Sequence, residues 1–149
     1  MPTTPNSIIT PQTPMAAVVN MSAVTACTTR GPTAVGSAAG ANIVQATATV
    51  TTNGCRIDRI YVKGSSTSIT ATSAAQTVIV WLSDGTTLWP FDEILVTAVV
   101  PSTTVASYQG FNNYTGLVLP SAWSLWLSTT VTTTAATTAL VALITGAAL

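Results

Sequence analysis

Apolar positions crowd most densely between Gln76 and Val100, in QTVIVWLSDGTTLWPFDEILVTAVV. Val78 to Leu82 is apolar at every position, so it reads as a strand covered on both faces. The run breaks at Asp84-Gly85 and resumes toward Ile94 and Val96. Asp-Gly between two such runs predicts a hairpin with a two-residue type I′ turn. Pro90 lacks an N–H, which makes the return arm an edge strand or a bulged one.

The rest of the chain repeats this period-2 pattern in shorter pieces. Residues 1–14, MPTTPNSIITPQTP, carry four prolines and read as an extended arm or a tail, with Ile8 and Ile9 as its apolar anchors. Residues 15–30 fit helix or strand, and the valines and threonines lean it to strand. A loop follows from Gly31 to Gly40. Ala41 to Thr52 alternates over Val44, Ala46, Ala48 and Val50, the pattern of a half-buried strand. Asn53-Gly54 is a second turn signal, leading into a strand over Cys55–Lys63 in which Ile60 and Val62 share a face with Asp58. Residues 64–75 read as a loop with a weak strand inside. Further strands are expected at Thr103–Gln109, Leu117–Leu119, Trp123–Val131 and Thr138–Thr145, with a loop over Gly110–Gly116.

Eight or nine short strands and no convincing helix predict an all-β fold: a two-sheet sandwich of jelly-roll or Greek-key form, or a small barrel. With 149 residues the chain fits one β domain, 15–149, behind the N-terminal arm. Trp81 and Trp126, inside apolar strands, are assigned to the core.

Charge narrows the function classes. Only 5% of residues are charged, against about a quarter in an ordinary globular protein, and the net charge is zero. Threonine, about a fifth of the chain, supplies polarity instead. Near-zero net charge promotes association, so the composition suits a subunit covered in an assembly. Nucleic-acid binding needs clustered cations; Arg56, Arg59 and Lys63 are close in sequence, but Asp58 sits among them.

The chemistry of catalysis is poorly supplied. With no histidine, one Glu and one Lys, neither a Ser/His/Asp nor a Cys/His arrangement can be built. Asp92 and Glu93 are adjacent and point to opposite faces of a strand. Asp58 reads as an ion-pair partner, and Asp84 belongs to its turn. Cys27 and Cys55 are expected as free thiols in a reducing cytosol, two ligands short of a zinc site. No cofactor is expected. No apolar run approaches the ~20 residues of a membrane-spanning helix, and no signal peptide is visible. Trp89, Phe91, Phe111, Tyr114 and Trp123 lie near turns and are the candidate partner contacts; a subunit interface is preferred to a glycan platform.

From Cys55 onward the order of motifs resembles a family of small tailed-bacteriophage virion proteins. The matching features are CRIDRIYVKG, VIVWLSDGTTLW, EILVTAVVPSTT and GLVLPSAWSLWLST, followed by a terminal apolar strand. The similarity spans roughly the last ninety residues. The few charges in the final third and the proline-rich front depart from the family pattern. The resemblance implies a capsid decoration, or cement, protein on the virion surface, assembled in the host cytoplasm. Such a subunit is often trimeric and clamps the major capsid protein. A tail, neck or fibre subunit and a glycan-binding sandwich are the alternatives.

Overall fold

The all-apolar run at Val78–Leu82 finds cover on both faces, and the architecture follows from that. A computed structural model describes residues 13–37, 42–47 and 54–149, and among these the chain is all-β with no helix. Nine strands form two antiparallel sheets packed against each other. They are β1 (Thr13–Met21), β2 (Thr33–Ala34), β3 (Val44–Gln45), β4 (Cys55–Gly64), β5 (Gln76–Ser83), β6 (Thr87–Val96), β7 (Gln109–Leu119), β8 (Ser124–Thr129) and β9 (Leu140–Ala148). The first sheet runs β1-β9-β4-β7 and the second β2-β6-β5-β8-β3.

The interior between the sheets takes Val78 and Val80 of β5 together with Ile57, Ile60, Val62, Leu119, Leu125, Leu127, Leu140 and Ile144. The opposite face of β5, Ile79 and Trp81, would face water were the sandwich only two layers. Instead Cys27, Val35 and Ile43, from residues 27–37 and 42–45, pack with Ile79, Trp81, Leu88 and Trp126 into a second apolar cluster. Backbone bonds tie this cover down: Cys27 N–H to the Thr129 carbonyl and Val35 N–H to that of Thr86. Trp81 is fully buried, as expected of the core, and its indole N–H donates to Ser128 Oγ at 2.8 Å.

Several local expectations change. The β5–β6 hairpin exists, with Gly85 at φ +96°, but the last paired residues are Ser83 and Leu88. The loop is therefore longer than two residues. Asp84 stays at negative φ, and its carboxylate accepts from the N–H groups of Thr86 and Thr87. A local carboxylate cap replaces the type I′ geometry.

Of the two readings of Pro90, the bulge holds, while β6 lies between β5 and the short β2 rather than at the sheet edge. The ladder slips between Val80–Asp92 and Trp81–Pro90, leaving Phe91 as the extra residue, and β2 covers β6 only at Thr87 and Leu88. Residues 110–116, expected as a loop, belong to the eleven-residue strand β7, while 103–108 form no strand. Asparagine and glycine disfavour strands locally, and cross-strand partners override that preference here.

Of the strand expected at 15–30 only 15–21 forms, as part of β1; β1 begins at Thr13, so the last two residues of the expected arm are already in the sheet, and 22–30 is irregular. Ile8 and Ile9 lie outside the described residues, as does the last part of the expected strand over 41–52. Cys27 and Cys55 are free, buried in different clusters.

Candidate interaction surfaces

Residues 27–37 and 42–45 cover Ile79 and Trp81 on the outer side of the second sheet, whereas on the outer side of the first sheet Val18, Phe111 and Leu143 stay exposed. What occupies that open face depends on a bulge in β4. Strict alternation from Cys55 and Ile57 would send Ile60 and Val62 outward. The ladders to β7 and β9 both slip between Ile57 and Arg59, and the extra residue restores Ile60 and Val62 to the interior. Asp58 therefore does not share their face; it lies on the surface and takes Arg56 in an ion pair of 2.6 Å. That hydrogen bond, above all, lowers the Asp58 pKa.

Register then builds an apolar row across all four strands. Val18 pairs with Leu143, Leu143 with Tyr61, and Tyr61 with Phe111. Directly paired residues of an antiparallel ladder share a face. Val18 is 71% exposed, Phe111 54% and Leu143 36%. The polar groups around the row are held in place. Tyr61 donates its hydroxyl to Gln109 at 2.9 Å, and Arg59 donates to Asn113 Oδ1 at 2.7 Å while lying 5.1 Å over the Phe111 ring.

A second patch lies where β6 of one sheet faces β7 of the other. Asp92, on the inner side of β6, accepts from the Tyr114 hydroxyl and from Asn112 Nδ2, both at 2.7 Å. Burial first, and Asp92 second, push the Tyr114 pKa well up, so the phenol stays protonated and keeps donating. The Tyr108 hydroxyl makes a further inter-sheet bond to the Leu95 carbonyl at 2.6 Å. The Phe91 ring sits 5.8 Å from that of Tyr114, tilted by 40°. Trp89 and Phe91 remain close to half exposed. Glu93 faces away from Asp92 and pairs at 2.8 Å with Arg30, pinning the covering segment.

The sequence-selected aromatics thus divide. Phe91 packs beside a half-buried Tyr114, Trp89 lies opposite Leu82 near the hairpin end, and Phe111 belongs to the open sheet face. Trp123 is half-buried against the core just after the Pro120–Trp123 turn. Sequence reasoning missed Val18, Tyr61 and Leu143: each sits in an alternating strand, but only register shows that they line up. A cleft of about 290 Å³ opens at one end of the sandwich between residues 63–73 and 101–107. Lys63 is the one titratable residue lining it, and Ser66 and Ser107 donate their hydroxyls to the carbonyls of Ser68 and Gly64.

No protein-family model, no curated protein and no solved structure matches this chain.

Proposed function

We propose that this chain is a structural virion protein, decorating and stabilising a bacteriophage capsid by bridging neighbouring capsid subunits. The observation that carries the reading is the row of Val18, Leu143, Tyr61 and Phe111 across an uncovered sheet. Large exposed apolar side chains aligned over four strands, on a chain with eight charged residues, suit a permanent and largely dry contact. The strand order supports the jelly-roll form of the sandwich: β1-β9-β4-β7 faces β3-β8-β5-β6, with only β5–β6 a hairpin. Jelly rolls serve capsids but also lectins, so the fold ranks below the surface as support.

A glycan platform fits less well. Trp123 is half-buried, Arg59 lies over one face of the Phe111 ring, and the Phe91 and Tyr114 rings are tilted rather than coplanar. A shell under internal pressure needs added contact across subunit boundaries.

Purified virions of the virus encoding this chain, split into heads and tails, test the reading. The chain is expected with heads, and recombinant protein is expected to co-sediment with heads stripped of it. Recovery with tails alone would overturn the proposal. Deleting residues 1–12, which stops short of β1, is expected to leave the melting temperature unchanged and to reduce retention on heads.

A further inference from the structure

Register lays out the open face of the first sheet in rows, one residue from each strand. Asn20, Val141, Lys63 and Gln109 make one row, and the apolar Val18, Leu143, Tyr61 and Phe111 the next. Ala16, Thr145, Arg59 and Asn113 make the third. Lys63 and Arg59 therefore stand on β4 on either side of the apolar row, about 13 Å apart along the strand. Both are exposed. Arg59 is held by its bond to Asn113 and by the Phe111 ring, so its guanidinium fork is already ordered.

The carboxylates of the chain are all engaged. Asp58 holds Arg56, Glu93 holds Arg30, Asp92 accepts from Tyr114 and Asn112, and Asp84 caps its turn. The ion pairs among the described residues thus leave Arg59 and Lys63 with no carboxylate. A second copy brings the same engaged carboxylates and the same unmatched cations, so it cannot neutralise this face. Single-stranded nucleic acid fits as poorly: these cations would neutralise about two phosphates, too few for strong binding.

We infer, on the footing of the capsid contact proposed above, that the surface seated on this face is acidic and belongs to a different protein. It presents an apolar ridge to the row of Val18, Leu143, Tyr61 and Phe111. Asp or Glu carboxylates about 13 Å apart flank that ridge and meet Lys63 and Arg59. An uncharged ridge would strip water from both cations and return nothing; carboxylates replace that water and fix the register of the contact.

Lys63 is the sole lysine, so it offers the one side-chain amine through which a zero-length carbodiimide can join the chain to a touching carboxylate. Recombinant full-length chain is added to purified heads stripped of it, and affinity is read by co-sedimentation. Lys63→Glu and Arg59→Glu are each expected to weaken binding at least fivefold, and Lys63→Arg to bind as wild type. Arg59→Gln stands in if Arg59→Glu misfolds by circular dichroism. Arg59 lies outside the lining of the cleft that Lys63 also touches, so a loss in both variants belongs to the face. The carbodiimide is expected to link Lys63 to an Asp or Glu of a head protein, and Lys63→Arg to lose that link.

If heads bind wild type and hold either variant within fivefold of it, or give no link, the inference is overturned and the capsid proposal stands. If heads bind no wild-type chain, both fall. Micromolar binding to single-stranded oligothymidine, or self-association, that Lys63→Glu abolishes would give the face to another occupant and overturn the inference.

Discussion

Trp81 is the place to test whether the second apolar cluster holds the covering segment in place. It is fully buried, and its indole N–H reaches Ser128 Oγ, itself buried, at 2.8 Å. Trp81→Phe keeps an aromatic ring but removes the donor and part of the volume. The difference of about 50 Å² in buried apolar area, at about 25 cal/mol per Å², is about 1 kcal/mol. A buried hydroxyl left without a partner adds about 1–3 kcal/mol. The expected loss is therefore about 2–4 kcal/mol, from a total of about 5–15 kcal/mol for a domain of this kind.

Ser128→Ala made on top of Trp81→Phe removes the orphaned hydroxyl, and about 1–2 kcal/mol of the loss is expected to return. Urea unfolding of the two single variants and the double variant, followed by far-ultraviolet circular dichroism, gives the cycle. A loss below about 1 kcal/mol for Trp81→Phe, or strict additivity in the double variant, would refute the claim that this bond sits in a dry, closed cluster.

Three other outcomes are expected. Gly146 sits opposite the β4 bulge, where an added Cβ would overlap the Arg56 carbonyl, so Gly146→Ala should cost about 1–3 kcal/mol; an unchanged urea midpoint would count against the bulge. The N–H groups of Thr87 and Thr86 hold the Asp84 carboxyl down to about 2. Since the folded value lies below the ordinary one, its stabilisation is whole above pH 4 and lost as pH falls toward 2. Asp84→Ala should thus lower the melting temperature at pH 7 and converge with wild type near pH 2; an equal gap at both pH values would refute the cap. Tyr114→Phe removes a bond to a carboxylate across the sheets and should cost about 1.5–3 kcal/mol in urea unfolding, and a cost under 0.5 kcal/mol would show that Asp92 is not an inter-sheet clasp.

The candidate surface was legible in the sequence only in part. Trp89 and Phe91 stand out because large aromatics beside Pro90, in a strand that reads as an edge or a bulged one, have nowhere to be buried. Trp123 carries the same local signal and folds inward, since the turn at Ala122, φ +69°, directs the chain back to the core. Leu143 lies in the apolar run of the terminal strand, where sequence alone does not choose a face; it points out while Ala142 and Ile144 point in. Tyr114 and Asn112 looked like loop residues because asparagine and glycine are poor strand formers. Pairing with β4, some fifty residues away in sequence, is what holds this segment in β7, and the bonds of Tyr114 and Asn112 to Asp92 tie it to the other sheet.

Period-2 alternation, turn residues and the near absence of ionisable groups determined by themselves that this chain is all β, that β5 is sheathed on both sides, and that proton-transfer chemistry is thinly equipped. These are properties of consecutive residues, set by the strand period and by side-chain type. The tertiary structure alone decided which strands are neighbours, that Cys27, Val35 and Ile43 cover Ile79 and Trp81, and that four side chains from four strands align on the first sheet. Alternation fixes which side chains share a strand face only until a bulge shifts it by one residue, and the β4 bulge arises in pairing with β7 and β9, far along the chain.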